Sequence, residues 1–156
     1  MSAIDKVMYV FPGQGSQYPG MGNDLYQGYE TAREIFDQAN DILNYDLVRV
    51  AFTDPDDQIG LTRYTQPILL THQMACFRVF QELTNSKITP VLSAGHSLGE
   101  YTALIVAGVL SFEDGLKLVS KRGELMGQHG QGSMLALPLM RDDAQLIAER
   151  HSSPAD

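Results

Sequence analysis

At 156 residues, with 44% hydrophobic and 19% charged side chains, the chain is sized for one domain with one core, or for a piece of something larger, and this composition argues against disorder. A formal net charge of −8 weighs against nucleic acid and anionic membrane surfaces, so any anionic ligand has to be met by a local basic spot. The single cysteine, Cys76, leaves no internal disulfide, and its neighbours Met74, Ala75 and Phe77 point to a buried, inert thiol.

In chain order, Asp5 and Lys6 precede an apolar run too short for a signal peptide. No stretch approaches the ~18 apolar residues of a spanning helix, so the cytoplasm is the expected compartment. VMYVF (7–11) predicts a strand buried on both faces, as in a parallel sheet, and Pro12-Gly13 stops it. The glycine-rich loop PGQGSQYPGMG follows. Leu25, Ala32, Ile35, Phe36, Ala39 and Leu43 recur at helical spacing and predict one amphipathic helix from about Asp24 to Leu43. TDPDDQ (53–58) reads as a solvated acidic loop. Pro67 suits the first position of a helix, and ILLTHQMACFRVFQEL behind it predicts a largely buried helix in which His72 is a core or lining residue. ITPVLSA (88–94) reads as loop then short strand. LGEYTALIVAGVL predicts a helix whose small residues allow close packing on the sheet. Ser111 and Asp114 predict the start of another helix, over Phe112 to Gln128. A strand over GSMLALPL (132–139) and a helix over DDAQLIAER (142–150) complete the pass. Alternating strands and helices indicate an α/β fold, but about three strands fall short of the ~5–6 of an average sheet.

SAGHSLGEY (93–101) allows two readings. GHSLG fits G-x-S-x-G, in which a serine on a sharp strand-to-helix turn presents its hydroxyl as a nucleophile. Gly95 and Gly99 would let strand and helix close around that turn, and the helix N-terminus would face charge developing on a carbonyl oxygen. Alternatively, Ser97 and Glu100 are a capping box that only starts a helix.

Arg122 has Leu118, Val119, Leu125 and Met126 at three and four residues' distance, which places it on an apolar stripe with no carboxylate on its own helix face. Lys117, by contrast, has Glu113 and Asp114 within a turn. A guanidinium so placed needs a partner, either a distant structural carboxylate or the carboxylate of a ligand. Gln14, between two glycines, either turns an N–H toward an oxyanion or sits in a flexible loop. The loop is not G-x-G-x-x-G, and no G-K-[ST] phosphate loop occurs, so nucleotide binding has little support. Of His72, His96, His129 and His151, none is placed as a general base, and their scatter has no zinc-ligand spacing.

Taken together, FPGQGSQ, TQP (65–67), AGHSLGEYTAL (94–104) and KRGELM (121–126) resemble the malonyl-CoA:acyl carrier protein transacylases and the acyltransferase domains of polyketide synthases. The resemblance runs over essentially the whole chain. It implies a ping-pong reaction in which a serine takes malonyl from coenzyme A as an ester. That ester then passes malonyl to the phosphopantetheine thiol of acyl carrier protein, with no cofactor or metal on the enzyme. Carried over by position, Ser97 is the nucleophile, the Gln14 and Leu98 amides form the oxyanion hole, Arg122 holds the malonyl carboxylate and His96 is a supporting neighbour in the substrate site. Leu98 after the serine fits malonyl-selecting members.

The resemblance further implies an α/β-hydrolase-like core. Residues 1–128 would be the N-terminal part of the large subdomain, and 129–156 the start of a small ferredoxin-like subdomain. Members run to about twice this length, beyond the size of a single average domain, and their general-base histidine comes from the second half. The chain therefore reads as an N-terminal half with little turnover alone, for which a C-terminal half or second chain would supply the base. Two other readings stay open: a serine esterase of α/β-hydrolase type, and a non-catalytic fragment that needs a partner. For acyl carrier protein, a local patch of Lys117, Lys121 or Arg63 is the expected contact.

Overall fold

The computed structural model describes residues 6–130 and 137–151. Its elements run β1 (Met8–Phe11), α1 (Asn23–Gly28), α2 (Glu30–Ile42), α3 (Leu47–Thr53), α4 (Thr62–Leu83), β2 (Leu92–Gly95), α5 (Gly99–Val106), α6 (Phe112–His129) and α7 (Arg141–His151). Strands β1 and β2 pair in parallel, with Met8 opposite Leu92 and Phe11 opposite Gly95, so the four helices between them form the crossover. The α/β class is as expected. The third expected strand falls largely on residues 131–136, outside the described residues.

Helix α4 is the hub, packed against α1, α2, α3, α5 and α6. Ile68, Leu69, Leu70, Met74, Ala75 and Val79 are buried on it and meet Ala32, Ile35, Phe36 and Ala39 of α2 in one core. Full burial of each large aliphatic side chain is worth about 1.5–3 kcal/mol. Leu116 and Val119 bring α6 into the same core. Ser111 caps α6 as expected, its Oγ accepting from the Asp114 N–H at 3.0 Å. No helix among the described residues is long and apolar enough to cross a membrane.

Several expectations are corrected. The single helix over 24–43 is two helices. Tyr29 is extended (φ −136°, ψ 126°) and closes α1 by donating its N–H to the Leu25 carbonyl. Apolar periodicity runs across the break because both helices face the same core. Pro67 is inside α4, which begins one turn earlier at Thr62; the Thr65 hydroxyl donates to the Ile59 carbonyl at 2.6 Å and ties that turn down. Helix α3 has no counterpart in the sequence reading. Asp46 caps it, accepting from the Arg49 N–H at 2.9 Å. The acidic loop is not simply solvated, because Asp54 Oδ1 accepts from the Gln58 and Ile59 amides at 2.6 and 3.1 Å.

Strand β1 is not buried on both faces. Tyr9 and Phe11 turn toward the helices, where the Tyr9 ring meets Phe77 and Phe80 edge-on. Met8 and Val10, alternating to the other face, are 49% and 68% exposed. An apolar groove of about 480 Å³ runs between β1 and the His72–Phe80 stretch of α4. Cys76 opens onto it and is exposed rather than buried. Its thiol is still poorly ionised: local desolvation and the Asp24 charge both raise its pKa.

Candidate active site

The end of β2 carries Ser97. The His96 N–H donates to the Phe11 carbonyl at 3.0 Å, extending the strand pairing by one residue before the chain turns. Ser97 then adopts φ +54°, a left-handed conformation unusual for a non-glycine residue. The flanking glycines are sterically required. A Cβ on Gly95 would overlap the Gly99 carbonyl and the Glu100 amide, and one on Gly99 would overlap the Phe11 carbonyl. Helix α5 therefore starts on the ends of both strands, as the elbow reading requires.

The capping reading is overturned for the hydroxyl. The Glu100 N–H bonds the Ser97 carbonyl at 3.2 Å, and no side chain caps α5. Ser97 Oγ instead accepts from Arg122 NH2 at 2.9 Å. The Gly99, Glu100 and Tyr101 amides turn back onto the carbonyls of His96, Ser97 and Leu98. The Leu98 amide has no backbone acceptor among the described residues. Its side chain is fully buried and fixes the turn from below.

Arg122 is half-buried, but the partner expected for it is not a carboxylate. NH1 donates to Gln66 Oε1 at 2.5 Å, and the guanidinium carbon is 5.9 Å from the Tyr101 ring centre. The ion pairs among the described residues, Arg49–Asp56, Lys117–Glu113 and Lys121–Glu124, do not include it. The stripe around it is also less buried than its composition suggests, with Val119 fully buried but Leu118, Leu125 and Met126 exposed.

Gln66 extends the contact into a chain. Its Nε2 donates to Thr62 Oγ1 at 2.9 Å, and the Thr62 hydroxyl donates to Gln14 Oε1 at 2.8 Å. The glycine loop, α4, α6 and the elbow are thus linked in series as Gln14, Thr62, Gln66, Arg122 and Ser97. Close crossing of α4 and α6 makes the reach short, since a Cβ on Gly123 would lie 2.8 Å from the Thr62 carbonyl oxygen. A second buried amide, Gln73, donates to the Pro12 carbonyl at 2.8 Å and accepts from the Thr102 hydroxyl at 2.5 Å, fastening the loop and α5 to α4. Gly13 lies against His96, where an added Cβ would be 2.7 Å from Nδ1 and from the carbonyl oxygen. Sequence reasoning assigned no role to Thr62, Gln66 or Gln73. Their spacing of i, i+4 and i+11, which puts all three on one face of α4, was the available signal.

None of the four histidines hydrogen-bonds Ser97 among the described residues. His96 is exposed beside it, with its ring on Gly13; His129 and His151 are exposed at the ends of α6 and α7. His72 lies in the groove, Nε2 3.5 Å from Cys76 Sγ, and its buried Nδ1 has no partner among the described residues. Burial holds its pKa down, with Asp24 opposing. Of the basic residues expected at a carrier contact, Lys117 and Lys121 are already paired with glutamates, and Arg63 stacks 4.5 Å over the Tyr64 ring.

The fold thus places a serine at positive φ on a glycine-tight turn beside an arginine that has no carboxylate partner among the described residues. Consistent with that geometry, residues 8–155 match the model of the acyl transferase domain, and the chain belongs to this family. Its relatives are malonyl CoA-acyl carrier protein transacylases. That of Staphylococcus aureus (strain MRSA252) is 44% identical over 137 residues, 86% of this chain and 43% of the relative. Among solved structures, the malonyl CoA-acyl carrier protein transacylase of Clostridium perfringens superposes with a TM-score of 0.79 at 35% identity, covering 93% of this chain and 46% of that one. A malonyl-transacylase solved in complex with its type II polyketide acyl-carrier protein gives 0.73 at 43% identity, over 79% of this chain and 39% of that one. The chain thus spans less than half the length of these relatives.

Proposed function

We propose that this chain carries the serine side of a malonyl transfer site, moving malonyl from coenzyme A to the phosphopantetheine thiol of acyl carrier protein. The observation that carries this is Arg122, which lies 2.9 Å from Ser97 Oγ and has no carboxylate partner among the described residues. In a neutral acyl site an uncompensated guanidinium has no use. In a malonyl site it pairs with the free carboxylate while the thioester carbonyl faces Ser97. Ser97 Oγ attacks that carbonyl, the Leu98 and Gln14 amides receive the oxyanion, and the coenzyme A thiolate leaves with the serine proton. The carrier thiol then attacks the malonyl ester and returns the proton to Ser97. Lys117, Lys121 and Arg63, though engaged locally, are the cations proposed to meet the carrier.

The proton transfers need a base, and no described histidine reaches Ser97. By family resemblance the base belongs to the part of the relatives that this chain does not span. Residues 1–128 would then belong to an α/β-hydrolase-like large subdomain, and 129–156 would begin a ferredoxin-like small one. General-base help is worth about 10²–10⁴-fold, so the 156-residue chain should acylate slowly with malonyl-CoA. Intact mass spectrometry should show slow gain of one malonyl group, lost in Ser97→Ala. Rapid stoichiometric acylation would mean that a base is present after all. A serine esterase shares the elbow but gives Arg122 nothing to do, so Arg122→Ala tests between them. The malonyl reading requires that this variant exchange malonyl for neutral acyl groups.

A further inference from the structure

Resting on that reading, we propose that Gln66 is the residue that makes Arg122 selective for an acid, by holding the guanidinium in place without neutralising it. A partly buried cation has to be fixed by some acceptor, and the usual one is a carboxylate. Here the acceptor is a neutral amide. Gln66 is fully buried, its Oε1 takes Arg122 NH1 at 2.5 Å, and its own N–H group is used on Thr62 Oγ1 at 2.9 Å and against Met126 Sδ at 3.3 Å. The amide therefore cannot flip without exchanging an acceptor for a donor in front of the arginine. Thr62 passes the restraint to Gln14 at 2.8 Å, so the residue proposed to receive the oxyanion and the residue proposed to hold the carboxylate are set by one chain of bonds. The other acceptor of Arg122 among the described residues, Ser97 Oγ, is also neutral. The full positive charge is left for an incoming anion beside the nucleophile.

Gln66 is thus a positioning residue whose neutrality is the point, and Q66E is the isosteric test of it. The carboxylate has the same shape, pairs with Arg122 and competes with the malonyl carboxylate; the Thr62 hydroxyl turns to donate to it, and the Gln14 amide turns over to donate to Thr62 Oγ1 in exchange. Calorimetry on the full chain with malonyl-CoA and acetyl-CoA should give about tenfold or more preference for malonyl-CoA in the unaltered protein. Q66E should lose that preference while melting at no lower temperature. Q66M, which removes the acceptor but adds no charge, should retain part of it. Modification of Arg122 by phenylglyoxal, followed by peptide mass, supplies a readout independent of acyl-group binding. It should slow several-fold in Q66E and quicken in Q66M. An undiminished malonyl preference in a folded Q66E would overturn the proposal. If the unaltered chain itself fails to distinguish the two thioesters, the acyl-transfer reading falls, and the selectivity role with it. The phenylglyoxal rates then still decide whether Gln66 holds Arg122, and equal rates in all three proteins would remove that as well.

Discussion

The two sides of the short β1–β2 sheet are built to different standards. At its carboxyl end, backbone meets backbone without room for a methyl group at Gly95 and Gly99, and each side chain of the series from Gln14 to Ser97 is held by a neighbour. On the open face, Met8 and Val10 are exposed, as are Val91 and Leu92 on and beside β2. The difference shows that the serine, the arginine and the glycine loop are positioned by α4, α5 and α6 rather than by a wide sheet. Two paired strands suffice to align these side chains, provided the helices carry the rest.

The strongest way to break this contrast is at Gly95. In Gly95→Ala the added methyl meets the Gly99 carbonyl and Glu100 amide, both backbone groups that cannot swing aside. We expect a loss of about 3 kcal/mol, at the upper end of overpacking costs, read as a drop in the urea midpoint. A midpoint unchanged from the unaltered chain would show that α5 is not seated on β2 as described.

A smaller effect isolates the strain at the nucleophile. Ser97 at φ +54° carries the cost of a left-handed non-glycine residue. Ser97→Ala and Ser97→Gly both delete the hydroxyl that Arg122 contacts, so the difference between them reports backbone strain set against glycine's greater freedom in the unfolded chain. Ser97→Gly should be the more stable of the two by about 1 kcal/mol, once glycine's extra unfolded-state entropy is set against the relief. A Ser97→Ala variant more stable than Ser97→Gly by about 0.4–1 kcal/mol would mean that the elbow is not strained.

How much of this was legible depended on whether a feature was local. The elbow could be read because Gly95 and Gly99 act within five residues of Ser97, and the Ser111 cap because Asp114 is three residues away. Arg122 could be read as needing a partner, but not which one, because Gln66 lies 56 positions away and an amide on an apolar helix gives no charge pattern to follow. The α1–α2 break at Tyr29 was hidden because both helices point apolar residues at one core. Helix α3 was hidden because LVRVAFT is rich in β-branched residues and only its Asp46 cap marks it. Strand β1 looked doubly buried because a continuous apolar run carries no record of which neighbours will cover it.

The smallest effect lies between these regions, in the groove at His72 where β1 meets α4. Burial lowers its pKa below the ordinary ~6.5, against the opposing pull of Asp24. As pH falls through ~6.5 the unfolded chain takes up a proton that the folded chain refuses, so this contribution to stability is whole above ~6.5 and declines below it. The decline ends once the folded imidazole also titrates. His72→Gln removes that titration and should flatten the acid side of a melting temperature versus pH curve, with little change above neutrality. The orphaned Nδ1 supports this, since a protonated ring would bury a second N–H donor without an acceptor. An equally steep acid limb in the variant would place the acid sensitivity elsewhere. It would also mean that the groove between β1 and α4 admits enough water to solvate a charge, narrowing the contrast between the packed and the open sides of the strand.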